Sequence, residues 1–158
     1  MDAAGNNVTL TLPEIGGTGS LANNKALMID GVVPTVNSVS ANTVDGYYKA
    51  GDTLVVTVAF SEIVVVTGIP QLVLETGSND AVIYYNSGSG TVTLNFNYIV
   101  ESGHSNSDLD YVSTSSLSLN NGLIRDAAGN DATLTLLEPG SSGSLSTNKA
   151  LVVDAIIP

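Results

Sequence analysis

Apolar and polar side chains alternate most cleanly over Thr91–Val100. Val92, Leu94, Phe96, Tyr98 and Val100 fall on one face, and Thr91, Thr93, Asn95 and Asn97 on the other. A period of two is the signature of a strand with one wet side. Thr53–Phe60 repeats the pattern with Leu54, Val56, Val58 and Phe60 inward. Shorter stretches at Pro34–Ala41, Gln71–Glu75, Ala81–Asn86, Ser115–Leu119, Leu123–Arg125, Ala132–Leu137 and Asn148–Asp154 read as further strands. The separators carry turn chemistry: Asp45 with Gly46, Gly77 to Asp80, Ser87 to Gly90, and Asn121 with Gly122, a hairpin signal. No segment reads as a helix of useful length. The pattern predicts an all-β fold, an immunoglobulin-like antiparallel β-sandwich.

A stretch of the chain is written twice. Asp2–Pro34 and Asp126–Pro158 align without a gap at an offset of 124, and 20 of 33 pairs are identical. Two copies bracketing one unique stretch read as a tandem repeat cut out of register. On this reading residues 1–33 are the C-terminal part of a preceding repeat, or a strand-donating segment, and residues 34–158 are one complete repeat. Met1 runs directly into mid-repeat sequence, which reads as a start placed on a fragment.

Composition narrows the partners. Fifteen acidic residues against four basic ones give a net charge of -11. A phosphate backbone needs a positive footprint, so nucleic acid is excluded, and anionic lipid is disfavoured. No apolar run is long enough to insert into a membrane. Without cysteine, any metal site must use oxygen ligands.

The run DGYYKAGDTLVVTVAFSEIVVVTGIPQLVLETG, with NSDLDY, SLSLNNGLIRDAAGN and NKALVVD, resembles the bacterial Ig-like repeats of very large surface adhesins. It is also similar to repeats of cyanobacterial swimming-motility surface proteins. The resemblance spans Pro34–Asp154 and implies an extracellular, repetitive, often calcium-stiffened stalk segment whose partners are neighbouring repeats of the same protein.

Counting strands as alternately up and down places the connections at alternating poles. Asp45, Asp52, Asp80, Glu101, Asp108, Asp110, Asp126, Asp131 and Asp154 then gather at one pole, with Glu62 and Glu138 at the other. Crowded carboxylates repel unless a cation compensates them, and calcium accepts six to eight such oxygens. Asp108 and Asp110 form a D-x-D pair, and Asp126 and Asn130 bracket a tight Gly-containing turn. Asp154, and its counterpart Asp30, sit where one repeat hands over to the next. The expected ligands are therefore Asp45, Asp52, Asp80, Glu101, Asp108, Asp110, Asp126, Asn130, Asp154 and Asp30, with Ca2+ as the ion. The competing reading is that Asp and Asn are ordinary turn formers.

Other constellations carry less. His104, in a Gly/Ser/Asn-rich loop, reads as a solvated histidine. The doublets Tyr47–Tyr48 and Tyr84–Tyr85 each expose one ring if extended, for a sugar, a partner or a sheet edge. Lys25 and Lys149 raise an isopeptide bond without an identified acid beside them. The expectation is a non-enzymatic stalk segment outside the cell. Its alternatives are a filament-forming subunit assembling by strand donation through residues 1–33 and a carbohydrate-binding module.

Overall fold

The computed structural model describes residues 1–157 and divides into two compact units, Met1–Asp30 and Gly31–Pro158. The larger unit, the body, is mostly β. Its first strands are β1 (Val36–Ala41), β2 (Gly46–Tyr48), β3 (Thr53–Thr67), β4 (Gln71–Leu74), β5 (Ala81–Ser87) and β6 (Thr91–Ile99). The short strands β7 (Ser105–Asn106), β8 (Leu117–Ser118), β9 (Leu123–Arg125) and β10 (Leu151–Asp154) follow.

A curled antiparallel sheet runs β1-β3-β6-β5-β4-β8, and β9 pairs with the far half of β3. Register is set at the centre, where Leu54, Val56 and Val58 of β3 face Tyr98, Phe96 and Leu94 of β6. All six are fully buried or nearly so, each worth about 1.5–3 kcal/mol for the larger side chains. A second, three-stranded sheet has β10 parallel to β2 and antiparallel to β7.

The trailing segment closes the core. It carries Leu136, Leu145, Leu151, Val153 and Ala155 into the same apolar cluster as the curled sheet. Its hydrogen bonds climb the body, from Thr133 N–H on Pro34 O (2.8 Å), through Val39 N–H on Gly143 O (2.9 Å), to Gly46 N–H on Ala150 O (3.0 Å).

Within the body the predicted strands differ from the structure chiefly in three places, and β2 and β7 form in stretches that read as connections. The alternation read to Phe60 continues to Thr67, through a register irregularity between Ala59 and Val64. Ala132–Leu137 is not a strand; it has one isolated bridge, Thr35 with Thr133, and scattered backbone bonds to Ile124, Pro34 and Thr114. Asn148–Asp154 is split between a one-turn helix, α2 (Leu145–Asn148), and β10. The Asn-Gly turn exists, shifted by one residue. Asn120 (φ 46) and Asn121 (φ 61) are its left-handed central residues, and Gly122 N–H closes it on Leu119 O at 2.7 Å. The strands it joins do not pair with each other: β8 goes to β4 and β9 to β3.

The smaller unit holds a single one-turn helix, α1 (Leu21–Asn24), and no strand among its residues, where Asn7–Leu12 and Asn24–Asp30 alternate as strands would. Ser20 caps α1 by accepting from Asn23 N–H at 3.3 Å. The counterpart α2 follows Ser144, and both helices end on a lysine in extended conformation whose N–H bonds the first helical carbonyl.

Candidate metal centre

Three carboxylates come together. Asp30, Glu62 and Asp126 each offer an oxygen, and these oxygens lie within 4.8 Å of one another. Two oxygens sharing one calcium at about 2.4 Å cannot stand more than about 4.8 Å apart, so the spacing fits a common ion. This acidic group could hold a metal ion.

Each carboxylate is positioned by a different local device. Asp126 opens a turn that Asp126 N–H and Gly129 N–H close on Asn130 O (3.1 Å) and Asp126 O (3.3 Å). Gly129, at φ 95, supplies a left-handed bend that side chains resist. Asn130 donates to Asp126 from its backbone at 2.8 Å and from Nδ2 at 2.7 Å. Burial opposes ionisation of Asp126, yet the Asn130 bonds, with those of Gly129 and Ala128, outweigh it and hold the carboxyl below its usual range. Asn130 thus orients the carboxylate, and its Nδ2 also reaches Val32 O at 3.2 Å. Glu62 is half-buried on β3, on the inward parity of Leu54, Val56, Val58, Phe60 and Val64. Asp30 directly precedes Gly31, where the chain enters the body.

The other expected ligands do not join this group. Asp45 pairs with Lys149 Nζ at 3.3 Å and accepts Ala150 N–H at 3.2 Å. Asp52 accepts Lys49 N–H at 2.9 Å and pairs with Lys49 Nζ at 3.3 Å. Asp110 is buried and accepts three donors: Tyr111 N–H (2.9 Å), Gly140 N–H (3.0 Å) and Ser146 Oγ (2.7 Å). Asp108 is exposed, so the D-x-D pair does not present both carboxylates to one side. Asp80 and Glu101 border a groove of about 310 Å³ between β5 and β6. Asp154 accepts Ile156 N–H at 3.4 Å.

The one-pole arrangement is therefore corrected. The directions of β1, β3 to β6, β8 and β9 follow the count, but Ala132–Leu137, counted as opposite to β1, bridges Thr35 in parallel, and strand heights do not follow it. Because β3 runs on to Thr67, β9 pairs with its far half, Arg125 opposite Val65. The Asp126 turn consequently lies at the end of the body where β1 begins, with Val36 opposite Phe60. Asp45, Asp52 and Glu101 lie at the other end, where Thr53 faces Ile99. Glu62, assigned away from Asp126 by the count, is its neighbour.

His104 is buried rather than solvated. Its ring stacks on Tyr98 with centroids 5.8 Å apart, and Nδ1 lies 2.9 Å from the Tyr98 hydroxyl and accepts Glu101 N–H at 3.2 Å. The tyrosine doublets do expose one ring each, Tyr47 and Tyr84. No family model, curated protein or solved structure matches the chain. No helix among the described residues is long and apolar enough to cross a membrane.

Proposed function

We propose that this chain is a segment of a long extracellular stalk: an immunoglobulin-like sandwich repeat of a tandem array in a bacterial surface protein, braced by calcium. The observation that carries this reading is where the chain enters and leaves the body. It enters beside Phe60 and leaves beside His104, whose carbonyl accepts Ala155 N–H at 2.9 Å. Along β3 these levels are some eight residues apart, roughly 25 Å at strand rise. Units joined at opposite ends extend a rod, whereas units joined at one end fold back.

The doubled segment supports repetition. The Asp2–Asn6 turn is built as Asp126–Asn130 is, with Asn6 donating to Asp2 from N–H (2.9 Å) and Nδ2 (2.8 Å). Asp30 and Asp154 are counterparts, so the carboxylate that Asp30 brings beside Glu62 and Asp126 is one that Asp154 would bring to a following body. Calcium suits the site because it takes oxygen donors in flexible geometry and is abundant outside cells. The engagement of His104 by Tyr98 and Glu101 favours a structural over a catalytic role.

Thermal melts in calcium and in EGTA test the ion. A site filled only in the folded state stabilises by mass action, about 1 kcal/mol at millimolar calcium for a module-type affinity. The pair Glu62→Gln and Asp126→Asn is expected to abolish the increment. Identical melts with and without EGTA would remove calcium from this assignment.

A further inference from the structure

The Met1–Asp30 unit displays an apolar face whose counterpart in the trailing segment is core. Leu145 is 0% exposed and its counterpart Leu21 is 68%; Val153 is 1% exposed and Ile29 is 98%. Leu12, Leu27 and Ile29 line a groove of about 740 Å³ on this unit. A surface of this kind marks an interaction site. What covers it is indicated within the same molecule, because the trailing copy of the sequence sits on the Val36–Arg125 part of the body.

We propose that the leading segment is a donor that completes the Val36–Arg125 body of a second copy of this chain, taking the place of that copy's trailing segment. The residues that dock the trailing segment are nearly all present in the leading one. Leu136, Leu145 and Leu151 become Leu12, Leu21 and Leu27, and Val153 becomes Ile29. Asn148 Nδ2 donates to Val39 O at 2.7 Å, and Asn24 can do the same. The bonds to Gly143 O, from Gly140 N–H and from Ala150 N–H use backbone that Gly19, Gly16 and Ala26 supply equally. Tyr111 hydroxyl donates to Leu137 O at 2.7 Å, and Pro13 retains that carbonyl. The Ser146 bond to Asp110 is lost, since Ala22 stands there, and the ion pair of Arg125 with Asp131 loses its charge, since Asn7 stands there.

Reach makes the partner a second copy. In a docked leading segment Ile29 would take the place of Val153 opposite Tyr48, at the end where the chain leaves. Thr35, six residues on, bridges Thr133 at the other end. Six residues span at most roughly 20 Å, short of the roughly 25 Å separating these levels. In the intact chain the resident trailing segment is tethered and wins by effective concentration, so donation requires its release.

Two full-length variants test this. In the first, the thirteen trailing positions that differ are changed to the leading residues, so that the body closes on the donor sequence. A cooperative melt within a few degrees of the parent is expected, and loss of the cooperative transition overturns the proposal. In the second, Leu145→Asp with Leu151→Asp releases the trailing segment. Light scattering is then expected to move from one chain mass to two or more as concentration rises, with the leading amides newly protected from hydrogen exchange. Adding Leu21→Asp and Leu27→Asp is expected to abolish both effects. A monomer at every concentration, folded or not, with leading amides unprotected, overturns the proposal.

Discussion

At the residue scale, two side chains tie local chemistry to stability in opposite directions of pH. Asp126 has its carboxyl held low by the Asn130 bonds, so its contribution is complete above the unfolded value of about 4 and is lost as pH falls through the lower folded value. Urea midpoints measured from pH 7 to pH 2 should show an acid limb that Asp126→Asn flattens. Tyr111 has its hydroxyl pushed up to about 12, chiefly by burial and then by Asp110 and Glu138. Its contribution is present below pH 10 and lost as pH rises toward 12, since the folded state keeps its proton longer. Tyr111→Phe should cost about 1 kcal/mol at pH 7 for the lost bond to Leu137 O. The same variant should show a shallower alkaline limb. Glu62 was legible in principle: an acid standing on the apolar face of an alternating run is unexpected there. Ending the strand at Phe60 concealed it, and treating a polar loop as necessarily solvated concealed His104, which Tyr98 covers.

At the element scale, the same leucine in two related copies has two energetic meanings. Leu145→Ala in α2 removes a fully buried side chain and should cost about 2–5 kcal/mol by urea unfolding. Leu21→Ala in α1 touches an exposed position and should change stability by less than about 0.5 kcal/mol. Equal effects would mean that both copies are packed alike. Gly122 is a different constraint: an added Cβ would lie 2.5 Å from Thr67 O, so Gly122→Ala must push β9 away from β3. The strands were readable because each keeps one side wet and one dry. The one-turn helices were not, since four residues are too few to display a 3.6 period. The Ala132–Leu137 stretch alternates as a strand does, yet its backbone bonds are spread over Pro34, Ile124 and Thr114 instead of one partner strand.

At the scale of the whole molecule, charge and connectivity set the behaviour. A net charge of -11 makes the folded state repel itself, so sodium chloride should raise the melting temperature until screening is complete. The calcium increment should persist at 0.15 M salt, because a coordinated ion is bound rather than merely screening. A chain of two full periods should scatter X-rays as an elongated particle; a compact radius of gyration for that chain would contradict end-to-end stacking. The doubling of Asp2–Pro34 was visible in the sequence without any structure. The heights of the strands were not, since they depend on long-range register between β3 and β9.

Because the polypeptide arrives at one end of the body and departs at the other, tension on it would run lengthwise along β1 and β10. The hydrogen bonds between β1 and β3 lie across that direction. They would be sheared together instead of unzipping one by one, so pulling through the points where the chain enters and leaves the body should demand a larger rupture force than pulling through a pair of attachment points at one end.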